Sequence, residues 1–213
     1  MNNTRSTDRK VIVVGGGIGG LAAALALARQ GIRVELLEQA EKIGEIGAGI
    51  QLGANAFAAL DALGVGEAAR KRSVFTDYLV MMDAIDATEV AKVDVGERYR
   101  QRFGNPYAVI HRADIHLSIL EAVQDHPLIQ FRTATTVYAL EQDERGVTVI
   151  DQHGERHQGD AVIGCDGVKI RRAPSLARRR AARDRACGVP RRGGRGRHAS
   201  GPADQRAGGL GRP

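Results

Sequence analysis

The stretch VIVVGGGIGGLAAALALARQGIRVELLEQ, residues 11–39, contains a strand, a glycine-rich turn, a helix and a second strand in that order. Val11–Val14 is a short β-branched run of the kind that forms buried strands. The alanine-rich segment 18–30 predicts a helix that packs closely on a sheet, and Gly31 is expected to end it in the left-handed conformation. A second strand is expected over Arg33–Leu37. The order predicts a βαβ unit with a parallel sheet.

The glycines of this turn have the spacing of a dinucleotide-binding motif. Gly15, Gly17 and Gly20 fit the pattern G-x-G-x-x-G, in which the first allows a tight turn and the second lets a pyrophosphate approach the backbone. The third lets the helix pack closely, so that its N-terminal N–H groups face the phosphates. Glu38 lies 18 residues after Gly20, where this fold places a ribose-binding acid. Because a carboxylate repels a 2′-phosphate, the turn is predicted to bind FAD or NAD rather than NADP.

Charge is distributed unevenly along the 213 residues. The net charge is +6, but residues 1–169 carry 5 Lys and 13 Arg against 23 acidic residues, a charge of −5. Residues 170–213 carry 13 Arg and 2 acidic residues, a charge of +11, and 33 of these 44 residues are Arg, Ala, Gly or Pro. Such a segment buries too little apolar area to offset its ordering entropy, so disorder is expected there and in residues 1–9. Its composition also indicates a G+C-rich reading frame that has shifted near codon 170.

The composition also bounds the class of protein. No apolar segment is long enough to span a bilayer, and no signal peptide is recognised, so no membrane partner is expected. Cys165 and Cys187 have neither metal-ligand nor disulfide-framework spacing, which favours the reducing cytoplasm and predicts no metal site.

The rest of the chain predicts further sheet and helix. A short extended piece near residues 47–53 precedes a helix over Ala54–Leu63, and strand-like segments over 74–103 predict an inserted sheet. A strand and an amphipathic helix follow within 106–127. Residues 129–164 are interpreted as a β-meander, whose last strand, Asp160–Gly164, is expected to be short and buried.

No catalytic role is predicted for four of the histidines. His111 and His116 are interpreted as capping or packing residues, whereas His153 and His157 are expected to be exposed on a hairpin loop.

Four segments together resemble one family. They are GGGIGGLAAALALARQG with Glu38, GAGIQLGANAFAALDALGVG (47–66), NPYAVIHRADIHLSIL (105–120) and AVIGCDG (161–167). Residues 11–169 resemble the N-terminal part of the class A flavoprotein monooxygenases, the FAD-dependent aromatic hydroxylases. The resemblance implies an α/β fold: a Rossmann-like FAD-binding domain over 10–169, with a β-meander and part of an inserted substrate-layer sheet.

The resemblance also implies roles for individual residues. The FAD-binding residues would be Gly15, Gly17, Gly19 and Gly20 at the pyrophosphate, Glu38 and Gln39 at the adenosine ribose, Gln51 near the flavin, Arg112 at the cofactor, Val137 near the adenine, and Asp166-Gly167 in a second fingerprint that serves both FAD and the incoming nicotinamide. Interpretations without a ligand stay open: Gln51 as a solvated side chain, Arg112 as a partner in a surface ion pair and Asp166-Gly167 as a simple turn.

The function implied by the resemblance is hydroxylation of a small phenolic aromatic acid of the 3-hydroxybenzoate or salicylate type. The cofactor would be FAD, with NADH or NADPH and O₂ as co-substrates. The family pattern D-G-x-x-S-x-x-R fails after Gly167, because Ile170 replaces the serine. We therefore expect this chain to bind FAD weakly or not at all, and not to couple NADH oxidation to hydroxylation. The alternatives are an NAD-binding module, or RNA binding through the Arg/Gly-rich tail, although a tail without aromatic residues makes nucleic acid an unexpected partner.

Overall fold

The computed structural model describes residues 9–42 and 47–167. The expectations for residues 1–8, and for the tail with its proposed frameshift, lie outside the described residues. Within them, the helices are α1 (Ile18–Arg29), α2 (Ala54–Ala62), α3 (Gly66–Lys71), α4 (Glu97–Phe103) and α5 (Arg112–Gln124). The strands are β1 (Lys10–Val14), β2 (Arg33–Leu37), β3 (Gly49–Leu52), β4 (Val74–Phe75), β5 (Tyr78–Met82), β6 (Glu89–Asp94), β7 (Ala108–His111), β8 (Ile129–Arg132), β9 (Val137–Asp143), β10 (Gly146–Asp151), β11 (Arg156–Gly159) and β12 (Ala161–Gly164).

A four-stranded parallel sheet with the order β12-β1-β2-β8 forms the centre of this part of the chain. The predicted βαβ unit is confirmed, with α1 crossing between β1 and β2. Gly31 has φ +78° directly after the helix, as expected for a left-handed helix end. Parallel strands must be joined by a crossover, here α1. The glycine-rich turn connects β1 to α1, so it lies at the carboxyl end of β1.

The two faces of this sheet pack against different layers. Val13 and Leu36 face one apolar core, which they share with buried residues of α1, α2, α3 and α5. Ile12 and Leu37, which alternate with them, face a second core with Val147 and Val149 of β10. The result is three layers in this region: helices, parallel sheet and an antiparallel sheet with the order β11-β10-β9.

The prediction of a single meander over residues 129–164 is only partly correct. The strands β9, β10 and β11 do form an antiparallel meander, but β8 and β12 pair in parallel with β2 and β1. The flanking strands join a sheet begun more than ninety residues earlier, which local patterning does not show. The prediction that the last strand is buried is wrong, because Ala161 and Gly164 are exposed where β12 forms one end of the described parallel sheet.

The segment predicted as inserted strands contains strands and one helix. The strand β4 joins β3 and β7 in a small antiparallel sheet, and β5 pairs with β6 in a separate hairpin. Residues 97–103 are helical, against the prediction, because local i,i+4 contacts favour a helix there. Gln101 donates to Glu97, and the rings of Tyr99 and Phe103 are 4.7 Å apart. Gly104 then ends α4 in the left-handed conformation.

Candidate functional site

The glycine-rich turn lies where the strand order of the parallel sheet reverses. The strand β1 has β2, which follows it in the chain, on one side and β12 on the other. In open α/β sheets, the crevice beyond the carboxyl ends of the strands at such a point is where ligands bind. The topology therefore places Gly15–Gly20 and Asp166-Gly167, which follow β1 and β12, at the same edge.

The three motif glycines differ in what surrounds them. Gly15 has φ +108°, and a Cβ there would clash with the carbonyl of Cys165. A Cβ on Gly20 would clash with the carbonyl oxygen of Gly15, so this glycine permits the close helix–strand packing. A methyl group on Gly17 or on Gly19 would meet no described atom within 4 Å. The structural roles of the first and third glycines are thus evident, and the open space beside Gly17 is compatible with a close-approaching ligand.

The first turn of α1 presents unused hydrogen-bond donors. Gly17 is the N-cap and offers no side-chain acceptor, and the first turn contains no acidic residue. The N–H groups of Ile18 and Gly19 donate to no atom in the described part of the chain. Such a helix start attracts anions, because its N–H groups and its dipole both favour negative charge.

Glu38 lies at the end of β2 and contacts the glycine-rich turn directly. One carboxylate oxygen accepts the N–H of Gly16, and the other accepts the N–H of Ala40 at 2.7 Å. Each oxygen keeps a further lone pair, since a carboxylate accepts about four hydrogen bonds. The sequence placed Glu38 at this edge correctly, and the structure adds that it stabilises the turn itself. The neighbouring Gln39 is exposed.

Val137 is brought towards Glu38 by a short loop. The N–H of Thr135 donates to the carbonyl of Glu38 at 2.8 Å, two residues before Val137 begins β9. The Val137 side chain is partly buried and packs on the second apolar core, to which Leu37 belongs. Its predicted position near an adenine stays a prediction.

Asp166 and Gly167 follow β12 beside the turn, and both are exposed. A methyl group on Gly15 would lie 3.0 Å from the Asp166 nitrogen, so the two segments are in contact. Gly167 has φ +76°, a conformation that favours glycine. Burial, and then the nearby Asp166 carboxylate, raise the pKa of the Cys165 thiol, so this cysteine is a poor nucleophile at neutral pH.

Arg112 and Gln51 lie on elements outside the parallel sheet. Arg112 is the exposed first residue of α5, packed beside Gly47, and its N–H donates to the carbonyl of Ala48. It is one helical turn before His116, so it shares the face of α5 that meets the glycine-rich turn. Gln51 is exposed in β3, opposite Val109, and none of the described contacts joins it to that turn.

Two histidines fulfil the capping and packing roles that were expected. His111 caps α5, its ring accepting the Ala113 N–H. His116 is buried, and its Nε2 lies 2.8 Å from the carbonyl oxygen of Gly16. The contact with the glycine-rich turn was not predicted, and the sequence signal was only its place one turn after Arg112.

The expectation that His157 is an exposed loop residue is wrong. It lies on β11, is 3% exposed, and its Nδ1 is 2.8 Å from a carboxylate oxygen of the buried Glu35. Its Nε2 lies 3.5 Å from Asp151. Glu35 also pairs with Lys10 at 2.6 Å and with Arg132 at 3.0 Å. Glu35 alternates with Val34 and Leu36, so it must face the meander, and the register of β11 brings His157 to it.

Charge compensation determines the ionisation of this cluster. Burial by itself would raise the pKa of Glu35, but hydrogen bonds and charge from Lys10 and His157 outweigh it and lower that pKa below its ordinary value. The pKa of Asp151 is also lowered: burial opposes the shift, and the N–H groups of His153 and Glu155 and the His157 ring overcome it.

The atoms of Asp151, Glu155 and His157 are close enough to share a cation, lying within 4.8 Å of one another. Both carboxylates already have partners, however. One Asp151 oxygen accepts two backbone N–H groups, and Glu155 pairs with Arg132 at 3.2 Å. We therefore interpret the cluster as a structural charge network between the two sheets.

The chain belongs to the FAD binding domain family, whose sequence profile matches residues 8–186. Among curated proteins it is similar to 3-hydroxybenzoate 6-hydroxylase of Polaromonas naphthalenivorans (strain CJ2), with 63% identity over 162 residues. That match covers 76% of this chain and 40% of the relative. The 3-hydroxybenzoate 6-hydroxylase of Klebsiella oxytoca is 58% identical over 160 residues, covering 75% and 40%. The chain thus spans about 40% of the length of these relatives.

Solved structures show the same fold. Klebsiella pneumoniae HpxO, in complex with FAD and uric acid, aligns with a TM-score of 0.66 and 27% identity, covering 78% of this chain and 41% of that one. A tetrameric 2-methyl-3-hydroxypyridine-5-carboxylic acid oxygenase aligns with a TM-score of 0.64 and 26% identity, covering 75% and 39%. These matches confirm the Rossmann-like FAD-binding fold and do not favour an NAD-only module or an RNA-binding protein.

The helices in residues 9–42 and 47–167 are all too short or too polar to cross a membrane.

Proposed function

We propose that this chain binds FAD through the glycine-rich turn and acts as the N-terminal part of an FAD-dependent monooxygenase. The observation that carries the proposal is the edge where β1, β2 and α1 meet. There, the unused N–H groups of α1, the open side of Gly17 and the carboxylate of Glu38 lie together. This donor and acceptor set suits a diphosphate linked to a ribose with free hydroxyls.

The residues present fit the adenosine-diphosphate half of FAD. Gly17, Gly19 and the start of α1 would hold the pyrophosphate, and Glu38, with Gln39 beside it, would accept hydrogen bonds from the ribose. Gly15 and Gly20 shape the turn, and Val137 would border the adenine. Support for these roles comes from the open positions at Gly17 and Gly19 and from the lone pairs that Glu38 keeps.

The flavin end of the cofactor would involve residues from other elements. Asp166 and Gly167 lie beside the turn, Arg112 begins the helix that contacts it, and Gln51 belongs to the small sheet of β3, β7 and β4. We propose that these four residues border the flavin end of the cofactor, Asp166-Gly167 also serving the incoming nicotinamide. A bound flavin supplies the activation of O₂ with electrons from NADH or NADPH.

We propose a small phenolic aromatic acid as the substrate, of the 3-hydroxybenzoate or salicylate type. The two relatives named above are called 3-hydroxybenzoate 6-hydroxylases, which supports the first of these. A cytoplasmic location fits the free, partly buried thiol of Cys165.

Titration of the 213-residue chain with FAD, followed by calorimetry and by flavin fluorescence, tests the proposal. We expect saturable binding, and replacement of Glu38 by Ala should weaken it about tenfold or more because charge-assisted hydrogen bonds to the ribose and to Gly16 are lost. Glu41→Ala is the matched control, since Glu41 is an exposed carboxylate three residues away. Absence of saturable uptake, or equal affinities for the two variants, would contradict the proposal.

Catalytic competence of this chain is tested separately. We expect NADH oxidation without coupled hydroxylation, and chromatography of reactions with 3-hydroxybenzoate or salicylate measures the product. A stoichiometric yield of hydroxylated acid would overturn this expectation.

We propose the domain boundaries 10–169 and 170–213 on composition, with the second segment read out of frame. Sequencing the coding DNA across codon 170 tests this. Family-like sequence in another frame is expected, and a stop codon with no such continuation would refute it.

A further inference from the structure

A buried histidine lies against the backbone of the glycine-rich turn. His116 of α5 is 4% exposed, and its Nε2 is 2.8 Å from the carbonyl oxygen of Gly16, a residue one hundred positions earlier. A carbonyl oxygen only accepts hydrogen bonds, so Nε2 carries the proton and donates it. The proposed binding of FAD gives this histidine no contact with the cofactor.

Gly16 is bonded on both sides of its backbone. Its N–H donates to Glu38, and its carbonyl accepts from His116. The preceding Gly15 N–H donates to the carbonyl of Leu37 at 2.7 Å. Three consecutive glycines form the most permissive backbone a chain can have, so the orientation of their peptide planes depends on such external bonds.

The orientation of one peptide plane determines a donor. In a planar trans peptide the carbonyl of Gly16 and the N–H of Gly17 point in opposite directions. Because His116 draws the carbonyl towards α5, the Gly17 N–H points away from α5. That N–H donates to no atom of the described chain, and space beside Gly17 is open.

We infer that His116 is a positioning residue for the pyrophosphate, fixing the Gly16–Gly17 peptide so that the Gly17 N–H is preorganised as a phosphate donor. The inference rests on the proposed FAD binding. Preorganisation improves affinity because the peptide plane need not be ordered when the ligand binds. If the peptide plane were free to rotate, a carbonyl oxygen could face the phosphates and repel them.

A purely structural role for His116 makes a different prediction. Loss of packing in α5 would weaken all ligands of the site similarly, through a lower folded fraction. Loss of the peptide orientation weakens only ligands that carry the diphosphate. The affinities for ADP and adenosine therefore distinguish a positioning role from a purely structural one, because the two ligands differ only in the diphosphate.

The experiment measures calorimetric affinities of the 213-residue chain for FAD, ADP and adenosine. His116→Leu should lower the affinity for FAD and ADP about tenfold, while adenosine changes less than about twofold. His116→Gln, whose amide nitrogen reaches about as far as Nε2, should restore ADP binding to within about threefold. The amide of His116→Asn lies nearer the backbone, so this variant should not restore ADP binding.

Ser118→Ala is the matched control. Ser118 is a buried polar residue on the same helix, bonded to the carbonyl of Asp114 and not to the turn. The ratio of ADP to adenosine affinity should be unchanged in this variant.

The inference is overturned by a His116→Leu variant that binds ADP normally, or that loses affinity for ADP and for adenosine equally. Should that variant fail to fold, equal ADP affinities of the Gln and Asn variants overturn it instead. Absence of FAD binding by the unmodified chain would refute the proposed function, whereas normal FAD binding with an unaffected His116→Leu variant refutes only this inference.

Discussion

Two buried histidines lie on opposite faces of the same parallel sheet and differ in their partners. His116, on the helical side, is 4% exposed and bonds a neutral carbonyl of the glycine-rich turn. His157, on the meander side, is 3% exposed and bonds the carboxylate of Glu35. Glu35 and Glu38 are three residues apart on or directly after β2. One short segment at β2 therefore contributes both to the glycine-rich turn and to a buried charge network.

The two clusters should respond to different perturbations. The first cluster, which consists of the glycine-rich turn with Glu38 and His116, contains one carboxylate at the sheet edge and depends on close backbone packing. The network around Glu35 contains three carboxylates, two cations and an imidazole, so it depends on charge balance. Steric changes at the first cluster and loss of charge at the second should therefore have the larger effects on the free energy of unfolding.

The largest expected effect is steric, at Gly20. Replacement by Ala forces a methyl group into the carbonyl of Gly15 and should lower the free energy of unfolding by about 3 kcal/mol, abolishing FAD binding as well. Urea denaturation measures the change. Gly19→Ala is the control, because its methyl group meets nothing within 4 Å and alanine favours a helix over glycine by about 1 kcal/mol. Equal stabilities of the two variants would contradict the packing role of Gly20.

A smaller effect is expected from charge, at Glu35. Glu35→Gln keeps the shape but leaves Lys10, Arg132 and His157 without their shared anion, and should destabilise by about 2 kcal/mol, a moderate value because Lys10 and Arg132 are partly exposed. FAD affinity of the folded protein should be unchanged, in contrast to Glu38 variants. Glu141→Gln breaks only an exposed pair with Arg156 and should change stability by less than about 0.5 kcal/mol. A loss of FAD affinity equal to that of Glu38→Ala would remove the distinction between the clusters.

The smallest expected effect is the dependence of stability on pH. The pKa values of Glu35 and Asp151 are lowered in the folded state, so the unfolded chain binds their protons more readily. Their contribution is complete above the unfolded pKa values of about 4 and is lost as the pH falls through the lower folded values. Denaturation midpoints from pH 7 to pH 3 measure this loss. Glu35→Gln should show a shallower decline, and an identical slope would refute the role of this carboxylate.

Much of the first α/β unit could be predicted because its determinants are local. The run at Val11, the turn and packing roles of Gly15 and Gly20, and the position of Gly31 each depend on neighbours in sequence, and these three predictions are confirmed. Pyrophosphate binding at Gly17 stays a prediction. Gly104 gave a similar local signal for the end of α4, but the preceding residues were interpreted as a strand. The i,i+4 contacts of Glu97 with Gln101 and of Tyr99 with Phe103 favour the helix there.

Residue contacts across long separations could not be predicted. The chain around His157 contains turn signals at Gly154, which favoured an exposed loop, yet the meander packs this histidine onto Glu35 more than one hundred residues away. Glu35, a single acid in the apolar strand β2, indicates either an edge position or a buried partner. Only the register of β11, which brings His157 to it, distinguishes the two positions. The same holds for His116, whose partner is a backbone carbonyl with no sequence signal.

Local chemistry therefore accounts for the glycine-rich turn, since glycine spacing and a carboxylate at a strand end are constraints on adjacent backbone. Tertiary structure alone determined that β12 lies on the other side of β1 from β2, which face Glu35 occupies and which side chains orient the Gly16 peptide. The physical reason is that side-chain hydrogen bonds and charge pairs need contact within about 3 Å. Only the packing of α5 and the meander onto the two faces of the parallel sheet brings those atoms together.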